Sequence, residues 1–184
     1  MATGQNGNGA AEHPFAIGVD PALSAQVRKE LLDTLQSRAH LDPAMVEREL
    51  NSRDVHAEFL RQLGDLGLVP DNLPDLLAGH LIAMWTVVHD TTLPGRDVAT
   101  ALSRQLLTLI AASPQAADPA QRQLMGEALM YETVLTLEAQ QAARASGDKA
   151  KLKEMAESAQ RNLLNQRGIN LRKTRLTASG MARA

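Results

Sequence analysis

The stretch Leu73 to Asp90, LPDLLAGHLIAMWTVVHD, limits the fold more than any other part of this 184-residue chain. On a helical wheel at about 100° per residue, Leu73, Leu76, Leu77, Leu81, Met84, Val87 and Val88 share one broad face. Ala78, Ile82 and Trp85 widen that face. Only Asp75, Gly79, Thr86 and Asp90 make a narrow polar strip. A helix that is apolar round most of its circumference needs neighbours on nearly all sides. Lipid is the wrong neighbour, because a membrane span takes about 20 apolar residues and only 14 positions lie between Asp75 and Asp90, two of them histidines. The segment is therefore expected to be the central helix of a single-domain, all-α bundle of six or seven helices.

Helix starts support this organisation. Three stretches, DPALSAQ from Asp20, DPAMVER from Asp42 and DPAQRQL from Asp118, share one grammar. The aspartate caps free N–H groups, and proline takes the first helical position, where its missing N–H is no loss. Asp148 reads as a further cap, with Gly147 ending the helix before it. The expected helices are 21–39, 43–51, 54–65, 73–90, 96–112, 119–146 and 149–167, with loops at 91–95 and 112–118. Residues 1–19 are expected to be a flexible N-terminal segment, 20–168 the helical domain, and 169–184 an extended segment that docks and then frays. No run alternates cleanly enough to predict a sheet.

Composition excludes several chemistries. There is no cysteine, so disulfides, thiolate metal sites and cysteine nucleophiles are absent. The aromatics are Phe15, Phe59, Trp85 and Tyr131 only, which leaves an aliphatic core and almost no platform for stacking nucleic-acid bases. Residues 1–143 hold 9 Lys/Arg against 18 Asp/Glu, whereas 144–184 hold 10 against 3. The basic end is expected to lie across the acidic body rather than hang free as a nucleic-acid arm. The N-terminus, MATGQNGNGAAEHPF, has no apolar signal core. It suits a mature periplasmic or secreted form, with a cytoplasmic protein as the alternative.

Four residues are candidates for a buried polar cluster or pocket: His80, Trp85, Glu127 and Tyr131. His80 lies within the apolar face of 73–90. Glu127 and Glu138 fall inside the apolar stripe of 119–146, and Glu127 stands one turn before Tyr131. A buried carboxylate requires a donor, so His80, Glu127 and Tyr131 are expected to meet as a structural cluster. Gly79 and Gly126, each beside a member of that trio, invite a close crossing of the two helices. A catalytic carboxylate pair is excluded, because Glu127 and Glu138 are roughly 16 Å apart along the axis. His80 and His89 project from opposite sides of their helix and cannot share a metal. His13, His40 and His56 lie in other segments. No phosphate-binding loop, nucleophile elbow, H-E-x-x-H or calcium loop is present, and no cofactor is implied.

The order EFLRQLGDLGL, LPDLLAGHLIAMWTVV, ALSRQLLTLI, RQLMGEALMYETVL and RGINLRKTRLTASG resembles an uncharacterised bacterial family of small, often exported helical proteins, a domain-of-unknown-function family, over roughly residues 45–180. The resemblance implies a helical fold and assigns no residue a role. The leading functional expectation is a non-enzymatic protein that binds another protein, of inhibitor, immunity or secretion-accessory type. One alternative is a small-molecule or lipid binder with a pocket at His80, Trp85, Glu127 and Tyr131; an enzyme with an unfamiliar helical site is a remote one. A cavity beside His80 would favour the ligand binder. A solid core with an exposed charged or apolar patch would favour the interaction protein.

Overall fold

The computed structural model describes residues 13–38 and 42–184, so His40 lies outside it. The Asp-Pro signals open helices as expected. Asp20 Oδ1 accepts from the Ala22 amide at 2.8 Å ahead of α1 (Pro21–Arg38), and Asp42 Oδ1 accepts from Ala44 at 3.0 Å ahead of α2 (Pro43–Ser52). Asp54 caps α3 (Val55–Leu63), which runs into one 3-10 turn, Gly64–Leu66. Asn72 caps α4 (Leu73–Val88), with Pro74 in its first turn. Then come α5 (Arg96–Ile110), a single-turn α6 (Pro114–Ala117) within the stretch expected to be loop, and α7 (Pro119–Ser146), capped by Asp118. Gly147 closes α7 at φ 70°, and Asp148 caps α8 (Lys149–Arg167).

Helix α4 is the centre. Thirteen of its sixteen residues are buried, and it packs on α7, α5 and α8. Leu76, Ala78, Ile82 and Ala83 are wholly buried, together with Phe59 and Leu63 of α3 and Met130 of α7. Each large aliphatic or aromatic side chain so buried contributes about 1.5–3 kcal/mol. A second, smaller core under Phe15 and Ile17 joins Leu73, Leu77, Ile110, Ala116 and Leu129. Both helical glycines are packing residues, but they do not face one another. A Cβ on Gly79 would stand 2.8 Å from Phe59 Cζ, and one on Gly126 would stand 2.7 Å from Ile17 Cδ1 and 3.0 Å from Leu76 Cδ1.

The chain ends differ from expectation. Residues 13–18 are not a free segment. Phe15 O accepts from the Leu73 amide at 3.0 Å, the Ile17 amide donates to Asp71 O at 2.8 Å, and Ala16 pairs antiparallel with Asn72. Apolar Phe15 and Ile17 hold this piece down by packing on the smaller core. Nor does the C-terminal segment fray. After a 3-10 turn at Leu171–Lys173, β1 (Thr174–Thr177) and β2 (Gly180–Arg183) form an antiparallel hairpin with Leu176 opposite Met181. Gln105 of α5 clamps it. Its Oε1 accepts from the Met181 amide at 2.8 Å and its Nε2 donates to Met181 O at 3.1 Å.

Residues 149–176 do lie on the body, but not for reasons of charge. Ala159 and Leu163 of α8, then Leu171, enter the main core, and half-buried Leu176 packs against it. The cations of this part face outward. Arg144 to Asp90, at 2.9 Å, ties the basic end to the body. Among the described residues, Arg161, Arg167, Arg172, Lys173, Arg175 and Arg183 make no ion pair.

Candidate functional site

The four candidate residues separate into three environments. Glu127, 3% exposed, looks from α7 toward α1. Its Oε1 accepts from Ser24 Oγ at 2.6 Å and from Gln123 Nε2 at 2.8 Å. Gln123 also donates to Asp20 O at 2.8 Å and accepts from the Asp20 amide at 2.9 Å, fixing the start of α1. Tyr131 is buried one turn further on. Burial pushes its hydroxyl above the usual tyrosine pKa, and Arg28 of α1 beside it partly offsets the rise.

His80 belongs elsewhere. Its Nδ1 is 3.4 Å from Thr133 Oγ1. The Thr133 hydroxyl proton is committed to Leu129 O at 2.6 Å, so the imidazole is the donor in that contact. Its Nε2 lies 3.9 Å from Glu132 Oε2. Desolvation, with Arg167 adding positive charge nearby, lowers the His80 pKa to about 4. The ring is therefore neutral at pH 7, and the contact with Glu132 is not an ion pair there.

The expected meeting of His80 with Glu127 and Tyr131 is thus corrected: among the described residues no hydrogen bond joins them. The reason is angular. Thr133 stands six residues after Glu127, about 120° round the helix, whereas Tyr131 stands only about 40° from Glu127. One side of α7 meets α4, and the adjoining side meets α1.

Trp85 stands apart from both groups. Its Nε1 donates to Thr174 O at 3.2 Å, and its ring lies 4.4 Å from that of His89, centroid to centroid. His89 Nε2 donates in turn to Leu171 O at 3.0 Å. Together they bind the end of α4 to the C-terminal hairpin.

One partly buried charge network has no motif. Arg53, at the junction of α2 and α3, donates to Glu58 and to both oxygens of Glu138 at 2.7 Å. Glu138 on the inward stripe of α7 was the available signal, since a carboxylate there needs a cation.

Two solvent-exposed features of the described residues bear on function. A cleft of about 230 Å³ runs over the smaller core, between α4, α5 and α6 and the end of α8. His80 and Arg167 are its ionisable lining residues. Separately, Arg172, Lys173, Arg175 and Arg183 are all exposed around the hairpin. From Ser158 to Ala184 the chain has six cations and no acid. Among the described residues no group of three or more His, Asp or Glu is placed to hold a metal ion, and no helix is long and apolar enough to cross a membrane.

No curated protein and no solved structure matches this chain. A family model does match, over residues 9–183, nearly the whole sequence. The chain belongs to that family, the family of unknown function DUF6683.

Proposed function

We propose that this chain is a non-enzymatic interaction protein that engages an acidic surface of another protein through its cationic C-terminal hairpin. The observation that carries the reading is the set Arg172, Lys173, Arg175 and Arg183: exposed, without ion pairs among the described residues, and presented by a hairpin clamped to α5. Cations held on a fixed scaffold keep their field for a partner and raise the rate of encounter with an acidic one. Three buried or half-buried polar residues support the reading too. Glu127, Gln123 and Arg53 are each engaged in joining helices.

The test replaces all four cations by glutamate. These side chains are exposed, so the bundle keeps its melting temperature within a few degrees. Partners are cross-linked in native cells, purified, and titrated against both forms. The expected result is acidic-protein binding that weakens with added salt and falls at least tenfold in the variant. Equal binding by the variant overturns the proposal, and so does a nucleic acid as the ligand lost on charge reversal.

A further inference from the structure

We propose that the cleft bordered by His80 and Arg167 is a binding site for a small amphipathic monoanion, a carboxylate carrying a medium-length apolar chain. Shape, lining and charge each support this class.

The walls are apolar. Leu77 and Leu81 of α4, Leu106 and Ile110 of α5 and Met125 of α7 form them. Leu109 stands at the rim, 65% exposed. Leu109 extends the apolar lining to the mouth of the cleft, where a ligand would cover it.

The volume sets the size. A dry apolar cavity of about 150 Å³ is enough for benzene, and liquid water takes about 30 Å³ per molecule. The cleft, at about 230 Å³, therefore has room for roughly eight such volumes. A six- to eight-carbon carboxylate fits, and a long-chain lipid does not.

The charge sets the head group. Arg167 ends α8 at the cleft, and no ion pair holds it among the described residues. Among the described residues no Asp or Glu lines the cleft. His80 in its floor is neutral at pH 7, so it adds a polar edge without a second charge. Glu132, 3.9 Å from His80 Nε2, lies outside the lining. A guanidinium over an apolar floor selects one carboxylate with an alkyl body. Among the described residues, three other grooves carry acids beside their cations, and in a fourth, about 420 Å³, the Arg122 guanidinium is already committed to the carbonyls of Ala16, Ala116 and Ala117. The groove between α1 and α2, about 370 Å³, is lined by Arg28 and Lys29 but also by Asp33 and Glu47, which neutralise one another. That beside Met84, also about 370 Å³, carries both Glu132 and Lys151.

The experiment titrates the full chain with octanoate, acetate and octanol, by calorimetry and by amide chemical shifts. Octanoate is expected to bind one to one and to move the shifts of His80, Leu106, Leu109 and Met125. Acetate, lacking the chain, and octanol, lacking the charge, bind at least tenfold more weakly. Arg167→Gln weakens octanoate at least tenfold and leaves octanol unchanged. Leu109→Asp, at an exposed position that does not endanger folding, also weakens octanoate tenfold or more. No octanoate binding at millimolar concentration overturns the proposal, as does octanol binding as well as octanoate, or shifts confined to another groove. Neither variant touches the hairpin cations, so this result is independent of how the hairpin behaves.

Discussion

Ser24 Oγ donates to Glu127 Oε1 at 2.6 Å, across the contact of the first helix with the long seventh. Gln123 Nε2 shares the same oxygen. Glu127→Ala removes the acceptor from two donors in the interior and is expected to destabilise the fold by about 1–3 kcal/mol. Glu127→Gln retains an oxygen in the same place and costs less. Urea denaturation of the two variants checks the order, and a midpoint unchanged by Glu127→Ala would refute the structural role.

Stability should fall as the solution is acidified, in a window set by His80. Its pKa is about 4 in the folded chain against 6.5 for the ordinary side chain. Above pH 6.5 both folded and unfolded states hold it neutral, and its contribution is fully present. Between pH 6.5 and 4 the unfolded chain takes up a proton that the folded chain refuses. Stability is therefore lost through that interval, by roughly 3 kcal/mol in total. Carboxylates titrate nearby, so the useful comparison is with His80→Gln. The variant should show a shallower decline between pH 7 and 4.5 by chemical denaturation. Parallel declines would place the proton uptake elsewhere.

The two helical glycines should respond differently to alanine. Alanine is favoured over glycine in a helix by about 1 kcal/mol. At Gly79 that gain is opposed by Phe59 Cζ at 2.8 Å and Leu63 Cδ1 at 2.9 Å, both on wholly buried residues of the central core. Overpacking there costs about 1–3 kcal/mol, so Gly79→Ala lowers the melting temperature. At Gly126 the nearest atom is the terminal methyl of half-buried Ile17 at 2.7 Å, with Leu76 Cδ1 at 3.0 Å, so the tighter clash falls on a side chain that is only partly enclosed. Gly126→Ala should cost less than Gly79→Ala, and the reverse order in thermal melts would contradict the packing described.

Gln105→Ala should loosen the hairpin and leave the bundle intact. Two hydrogen bonds to Met181 are lost, each worth about 1 kcal/mol. Amide exchange at residues 174–183 should accelerate severalfold, with little change in α4. Gly180→Ala should do the same, since Gly180 has φ 103° and an added Cβ would run into Gln105 Oε1.

The legible parts of the fold were those decided within a few residues. The Asp-Pro caps act over two positions, so Asp20, Asp42 and Asp118 announce their helices directly. The surrounded state of α4 follows from its wheel alone. What failed depended on the rotation of one helix against two others. The stripe of α7 shows that Glu127 is buried but not which neighbour it meets, because α1 and α4 occupy adjoining sides. The hairpin failed for another reason. Its strands are four residues each, and it is fixed by one glutamine 76 positions earlier in the chain, which leaves no period to read. The same remoteness hid the cleft, whose lining comes from five helices.

The lone tryptophan gives the molecule a spectroscopic address. Trp85 is hydrogen-bonded to Thr174 O and packed against the His89 ring, so all indole emission comes from the seam between the central helix and the hairpin. Fluorescence will therefore register detachment of the last few residues as a complete transition, even while the helices persist. A denaturation followed by emission and by far-ultraviolet ellipticity should coincide only if the hairpin and the bundle come apart together. Any gap between the two curves measures how loosely the cationic edge is coupled to the body that carries it.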